Sequence, residues 1–332
     1  MSGGEFILSL DFELLWGMRD HATRQSYGAN ILGGRAAVPA MLERFELHGV
    51  QATWATVGAL FCETREELLE ALPPEELRPR YKHAVLSNYQ YLNEIGADEA
   101  SDPHYFGASL IAQIADCPGQ EIATHTMSHF YCLEEGASIE SFAADLDAAC
   151  RVAAVRGITL RSIVFPRNQY GSAHLDVIRQ HGIRRYRGNP DGWAYRPAAG
   201  AGQTLPRRML RLADAHTGLL GAHLYQPGSD NVPASHFLRP RAGRMAALHG
   251  RHLAVLEWAM TKAARAGAGF HLWWHPHNFG ADPEANLAGL DRILTHFTRL
   301  RDRYGMVSRT MAGAGQDMLS AAPTDNQSKD VP

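Results

Sequence analysis

A chain of 332 residues, 45% hydrophobic and 20% charged, has the composition of a globular protein with a sizeable core. Its length allows one large α/β barrel or two domains. The net charge of -3 gives no electrostatic case for a nucleic-acid or membrane-surface partner. No stretch approaches the roughly 20 apolar residues of a membrane span. The first residues run straight into the apolar stretch 6–10 with no basic leader, so no secretory signal and a cytoplasmic location are expected. The four cysteines, Cys62, Cys117, Cys132 and Cys150, lack close pairs and read as reduced thiols rather than zinc ligands.

Residues 6–10 suit a buried strand of a parallel sheet and lead into Asp11-Phe-Glu13. In parallel α/β folds, chemistry sits at the carboxyl ends of strands, so both carboxylates are well placed. A loop with Gly28, Gly33 and Gly34 follows, then a helix over 35–47, stopped by Gly49, and a strand over 50–57. Residues 63–105 change to a charged, proline-containing segment, read as an insertion over the barrel mouth.

The pattern then predicts a helix over 106–117 and a strand over 120–123, with His125 and His129 just beyond it. A helix over 138–155, a strand over 161–165, a helix over 173–180 and a strand over 183–186 come next. A strand is expected over 207–213, a largely helical stretch over 235–266 and a strand over 269–274. A helix over 285–303 and a last strand over 306–309 complete the pattern, and polar residues 313–332 read as a disordered tail. The alternation argues for a single α/β domain over 1–312 with a parallel sheet closed into a barrel.

His125 and His129 stand four apart, which on a helix would place both on one face to share a metal. Glu13 or Asp11 can supply a third, carboxylate ligand, leaving positions open for water and substrate. A hydrolytic site further needs a base, an acid and an oxyanion stabiliser. The carboxylate off the metal can be the base, and His275, at the end of an apolar strand, the acid. A backbone N–H in the turn after Phe165 can face the oxyanion.

These stretches, in this order, resemble the NodB-homology polysaccharide deacetylases, carbohydrate esterase family 4. The likeness runs over roughly residues 5–280. Ser9-Leu-Asp11-Phe-Glu13 resembles the family's first motif, which would make Asp11 the base and Glu13 a metal ligand. His125-Thr-Met-Ser-His129 resembles the second. Arg167-Asn-Gln-Tyr170-Gly171 resembles the third, whose Arg holds the base and whose Tyr N–H helps form the oxyanion hole. Asp191-Gly-Trp193 resembles the fourth and Leu272-Trp-Trp-His275 the fifth, which makes His275 the general acid. The resemblance implies a distorted (β/α)7 barrel. It also implies Zn²⁺, or another divalent transition metal, on Glu13, His125 and His129.

Three departures stand out. Glu13 replaces an Asp, Asn168-Gln169 replaces two prolines, and His277 stands beside His275 as a rival acid or a substrate contact. Trp16, Trp193 and Trp274 are candidate sugar-stacking residues. The activity implied is removal of an N-acetyl group from an amino sugar. The expected substrate is a cytoplasmic carrier-linked or small glycoside intermediate of surface-glycan or secondary-metabolite assembly. Hydrolysis of a non-sugar cyclic amide and an inactive barrel serving as a scaffold are the alternatives.

Overall fold

In the computed structural model, residues 3–199, 202 and 204–316 are described, and eight strands alternate with eight α-helices among them. The strands are β1 (Glu5–Phe12), β2 (Ala52–Thr56), β3 (Gln120–Thr124), β4 (Ser162–Ile163), β5 (Arg185–Tyr186), β6 (His236–Phe237), β7 (Gly269–Trp274) and β8 (Val307–Arg309). The sheet runs β5-β4-β3-β2-β1-β7-β6, with β8 also on β1, and every strand pair is parallel.

The two edges of this sheet meet. Val232 N–H donates to Tyr186 O (2.9 Å) and Ala234 N–H to Gly188 O (3.0 Å), which ties the end of β5 to the stretch ahead of β6. Ser235 N–H to His271 O (2.8 Å) carries that stretch on to β7. The result is the distorted seven-stranded parallel barrel, with helices outside.

Period-two alternation decides which side chains face inward. On β1, Phe6, Leu8 and Leu10 join the large cluster under the helices, while Ile7 joins a small inner one with Ala55, Val164 and Val232. Ser9 and Asp11 continue the Ile7 face toward the carboxyl end. On β7, Phe270, Leu272 and Trp274 face the helices, which leaves His271 and Trp273 for the interior.

The helices are α1 (Arg24–His48), α2 (Arg65–Ala71), α3 (Ala108–Asp116), α4 (Ile139–Val155), α5 (Ser172–Gln180), α6 (Leu205–Thr217), α7 (His249–Ala266) and α8 (Pro283–Tyr304). α1 starts well before residue 35, opened by a Thr23–Ser26 capping box. Gly33 and Gly34 thus lie inside a helix rather than in a loop. A Cβ on Gly33 would collide with the backbone of Gly280, and one on Gly34 with that of His277. The two glycines let α1 press against the 3₁₀ turn Pro276–Ala281 that follows β7.

Two expected elements are corrected. Residues 207–213 lie in α6, not in a strand: Pro206 opens the helix and Gly218, in the left-handed region, closes it. The stretch 235–266 begins with β6 and becomes α-helical only at α7.

The barrel's amino-terminal mouth is closed by residues 311–316. Met311 N–H donates to Thr53 Oγ1 (2.8 Å), Ala312 N–H to Glu121 Oε2 (3.0 Å) and Gly315 N–H to Glu5 Oε2 (3.0 Å). Residues 313–316 therefore pack as part of the barrel, and 317–332 of the expected tail lie outside the described residues. No helix among the described residues is long and apolar enough to cross a membrane.

Candidate active site

Glu13, just past β1, meets His125 and His129, just past β3. Glu13 Oε2 lies 3.3 Å from His125 Nε2 and 3.0 Å from His129 Nε2. The three donor atoms fall within 4.8 Å of one another, and all three residues are buried. One carboxylate oxygen and two imidazole nitrogens form a donor set that suits zinc and other divalent transition metals.

Two local features fit this use. His125 Nδ1 donates to Val164 O (2.7 Å), which fixes the tautomer and turns the Nε2 lone pair to the site. A Cβ on Gly17 would overlap the Glu13 carboxyl group, so the glycine opens the space this carboxylate occupies. Burial alone would raise the Glu13 pKa, but His275, His129 and His125 outweigh it and hold the group well below the usual carboxylate range. Burial is also the main cause of the lowered pKa of His129, which favours the neutral, ligating form.

The histidines do not share a helix face, as their spacing suggested. They sit in a loop, with Thr126 at φ 65° and His129 at φ 59°. Buried Asp145 of α4 organises that loop: its carboxylate accepts Met127 N–H (2.7 Å), the Ser128 hydroxyl and the Tyr89 hydroxyl (3.3 Å). Residues 63–105 supply further braces. Asn88 Nδ2 donates to Trp16 O (3.0 Å) and Ser128 O (2.9 Å), tying the β1 and β3 loops together. Tyr81 OH accepts Tyr131 N–H at 2.8 Å.

Asp11 is held by Arg187, which the sequence reading passed over. The guanidinium donates to both carboxylate oxygens, at 2.7 and 2.8 Å, and the pair is buried. Burial would raise the Asp11 pKa, but Arg187, His125 and His275 lower it overall, so Asp11 stays anionic. Arg187 is itself fixed on every side. It stacks 4.1 Å from the Trp273 ring centroid and donates to Asn168 Oδ1 (3.1 Å) and Ser9 Oγ (3.0 Å). Ser9 in turn meets His271 Nε2 (2.8 Å), whose Nδ1 lies on Val232 O at 3.0 Å. Burial pushes His271 down to about 3, so it is a neutral acceptor for the Ser9 hydroxyl. Arg187 stands at the carboxyl end of β5 as Asp11 does at that of β1. An arginine at the carboxyl end of a short strand was the signal that could have found it.

Arg167, expected on Asp11, points elsewhere. It pairs with Asp20 and Glu134 and lies 4.2 Å from the Tyr131 ring centroid. Asp191, expected beside Arg167, is exposed and forms no ion pair with it. Tyr170 packs its ring against Phe165 (5.1 Å) and Tyr186 (5.3 Å), so only its backbone could serve an oxyanion.

His275 Nε2 lies 3.7 Å from Asp11 Oδ2 and 3.7 Å from Glu13 Oε1, and its side chain is 24% exposed. Asn278 Nδ2, 3.4 Å from His275 Nδ1, can donate there and leave the proton on Nε2. His277 stacks on His275 (5.0 Å between ring centroids) but is buried, and burial pushes its pKa down to about 3. Trp16 and Trp274, expected at the substrate, are instead buried. Trp16 Nε1 donates to Tyr105 O (2.9 Å), and Trp274 stacks on Phe279. Trp193 is 55% exposed.

A cleft of about 660 Å³ adjoins this centre. Its wall includes Asn168, which touches Arg187, and Phe237 and Trp273, whose rings lie 5.8 and 5.6 Å from that of His275. The size is that of a ligand site.

No protein-family model and no curated protein matches the sequence. Solved structures do. A Mycobacterium smegmatis protein described as a polysaccharide deacetylase aligns over 96% of this chain and 89% of its own, with a TM-score of 0.56 at 13% identity. Puue allantoinase aligns over 96% of this chain and 90% of its own, at 0.53 and 12% identity. A GH57-type branching enzyme from the archaeon Pyrococcus horikoshii covers 99% of this chain and 73% of its own, at 0.53 and 12% identity. At these identities the likeness is one of fold, and the chain is built on the barrel found in polysaccharide deacetylases.

Proposed function

We propose that the chain is a metal-dependent hydrolase that removes an N-acetyl group from an amino sugar. The observation that carries the reading is the meeting of Glu13, His125 and His129 with the Arg187-held Asp11 on one side and His275 on the other. A divalent metal on the first three, Zn²⁺ by donor type, would supply Lewis-acid polarisation of the acyl carbonyl and a lowered pKa for a water.

Asp11 takes the proton of the attacking water, and its grip on Arg187 fixes the direction of its lone pairs. The Tyr170 backbone N–H is the proposed partner of the developing oxyanion. His275 gives its Nε2 proton to the departing amine. It is preferred to His277 because it is partly exposed and lies nearer the carboxylates. Arg167 and Asp191 have no place in this chemistry; Arg167 braces the loops of Asp20 and Glu134. The amide and one water become a free amine and acetate.

The substrate is an N-acylated sugar, carrier-linked or a small glycoside, of surface-glycan or secondary-metabolite assembly. The unpaired state of all four cysteines supports a cytoplasmic setting. Hydrolysis of a cyclic amide has the allantoinase likeness behind it, but the roomy cleft favours the sugar. The test is metal content and acetate release for the wild type, His125→Ala and Asp11→Asn. About one equivalent of metal, lost in His125→Ala and kept in Asp11→Asn, with acetate release lost in both, is expected. A protein that takes up no metal, or an Asp11→Asn variant at full rate, would refute the assignment.

A further inference from the structure

The cleft beside the catalytic centre has a charge that amide hydrolysis does not require. Five arginines border it: Arg167, Arg196, Arg208, Arg211 and Arg239. Its one acidic wall residue, Asp20, is taken up by Arg167 and His21. Arg211 donates to the Ala194 carbonyl at 3.2 Å. Arg196, Arg208 and Arg239 form no ion pair among the described residues. Arg239 Nε is buried without a hydrogen-bond partner.

Arg167 lies in the turn after β4, and the other four come from three further segments. Arg208 and Arg211 stand one turn apart on α6, Arg239 follows β6, and Arg196 lies in the loop before α6. Surface arginines normally spread out or pair with carboxylates, so gathering Arg196, Arg208 and Arg239 on one concave wall with no ion pair among the described residues raises the energy of the empty cleft. Burial is the main cause of the lowered pKa of both Arg211 and Arg239, and Arg207, Arg208 and Arg239 add mutual repulsion at Arg211. An anion entering the cleft would relieve this.

We propose that this cleft is an anion subsite that holds the phosphate or diphosphate group of a sugar-phosphate substrate, placing the N-acetyl group of that sugar at Glu13, His125 and His129. The inference rests on the deacetylase reading and deepens it. Guanidinium forks match the paired oxygens of phosphate. Several guanidiniums converging on one wall exceed what a single sugar carboxylate would need and suit a group carrying two or more negative charges. The position is right as well. Phe237 and Trp273 form part of the cleft wall and touch His275, so a sugar bridging the two regions reaches the catalytic groups from its charged end.

The experiment has a binding arm and a turnover arm. Binding of inorganic pyrophosphate is measured by calorimetry for the wild type, Arg208→Ala/Arg239→Ala, Arg196→Ala/Arg208→Ala and His125→Ala. Arg196 and Arg208 are exposed, so the second double variant keeps its fold even if the first does not. Affinity is expected to fall about tenfold or more in each arginine pair and to survive in His125→Ala. Pyrophosphate that does not bind, binds equally to the arginine variants, or is lost only in His125→Ala would overturn the proposal; the last result would place the anion at the metal group.

The turnover arm compares acetate release from free N-acetylglucosamine, its nucleoside-diphosphate form and its short-chain prenyl-diphosphate form. Preference for either diphosphate, reduced in the arginine variants, supports the proposal, and the preferred one identifies the source of the phosphate. Equal rates on the free sugar would overturn it. Pyrophosphate binding with no acetate from any of the three would uphold the anion subsite and count against the deacetylase reading.

Discussion

Arg187→Gln tests the geometry of the site without relying on its activity. In the wild type, the guanidinium spans both oxygens of Asp11 at 2.7 and 2.8 Å, and both side chains are buried. Gln cannot span the carboxylate and carries no charge. Asp11 would be left buried and ionised with no cation bonded to it, and removing one partner of such a pair costs roughly 3–5 kcal/mol. Loss of the stack on Trp273 and of the bonds to Asn168 and Ser9 adds to this. Asp11→Asn leaves the converse defect, a buried guanidinium without its anion.

The double variant, two neutral amides, leaves no charge unpaired. It is expected to be less destabilised than the sum of the singles by about 2–3 kcal/mol. Urea unfolding of the four proteins, with metal saturating in all so that ligand linkage cancels, gives that coupling. Single costs that simply add would show that Arg187 and Asp11 do not act as a buried pair, and the account of how Asp11 is held would fail.

Gly17→Ala is expected to push the Glu13 carboxylate aside while sparing the fold, because the clash is with the end of a flexible side chain. Metal affinity should drop about tenfold or more with the unfolding midpoint little changed, and unaltered affinity by metal titration would refute it. Asp145→Asn should change how stability depends on pH. Burial raises the Asp145 pKa from 3.8 to about 6, against hydrogen bonds that lower it. The folded protein therefore keeps a proton that the unfolded chain has given up between about pH 4 and 6. Wild-type stability should fall across that window as pH rises, by roughly 3 kcal/mol for this group. The amide of the Asp145→Asn variant does not titrate, so a wild-type-minus-variant stability difference that is flat with pH would contradict the reading.

Much of the barrel was legible because it is written in local periods. The alternation on residues 6–13 places Asp11 on the Ile7 and Ser9 face, and that on 269–275 sets His271 and Trp273 apart from buried Trp274. Residues 207–213 misled because a short apolar and charged run does not settle its own period; Pro206 and Gly218 were the better guides. The Glu13, His125 and His129 group could be read from residue types, but its local conformation could not. His125 and His129 keep a helical spacing while their loop is shaped by Asp145, sixteen residues beyond His129 in the sequence and carried on another element. Arg187 lies 176 positions from Asp11; its place at the end of β5 marks it as a candidate site residue, but only the closing of the barrel names its partner.

One departure from the motifs the sequence resembles, Asn168 in place of a proline, has its physical root in that pairing. With the guanidinium arriving from β5, the turn after β4 has to offer it an acceptor, and Asn168 does so where a proline could not. Asn168 and Arg167 both sit in the left-handed region, at φ 52° and 53°, which asparagine tolerates better than most residues. Arg167, which does not pair with Asp11, ties the 14–21 loop to the 131–137 loop through Asp20 and Glu134. Of the six non-glycine residues with positive φ among those described, Leu14, Thr126, His129, Arg167 and Asn168 all follow the carboxyl ends of β1, β3 and β4. Backbone held in sparsely populated conformations persists only where its surroundings over-determine it. Here those surroundings are Asp145, Asn88 and the Arg187 network, so the strain and the bonds that hold it converge on the same few residues around Glu13.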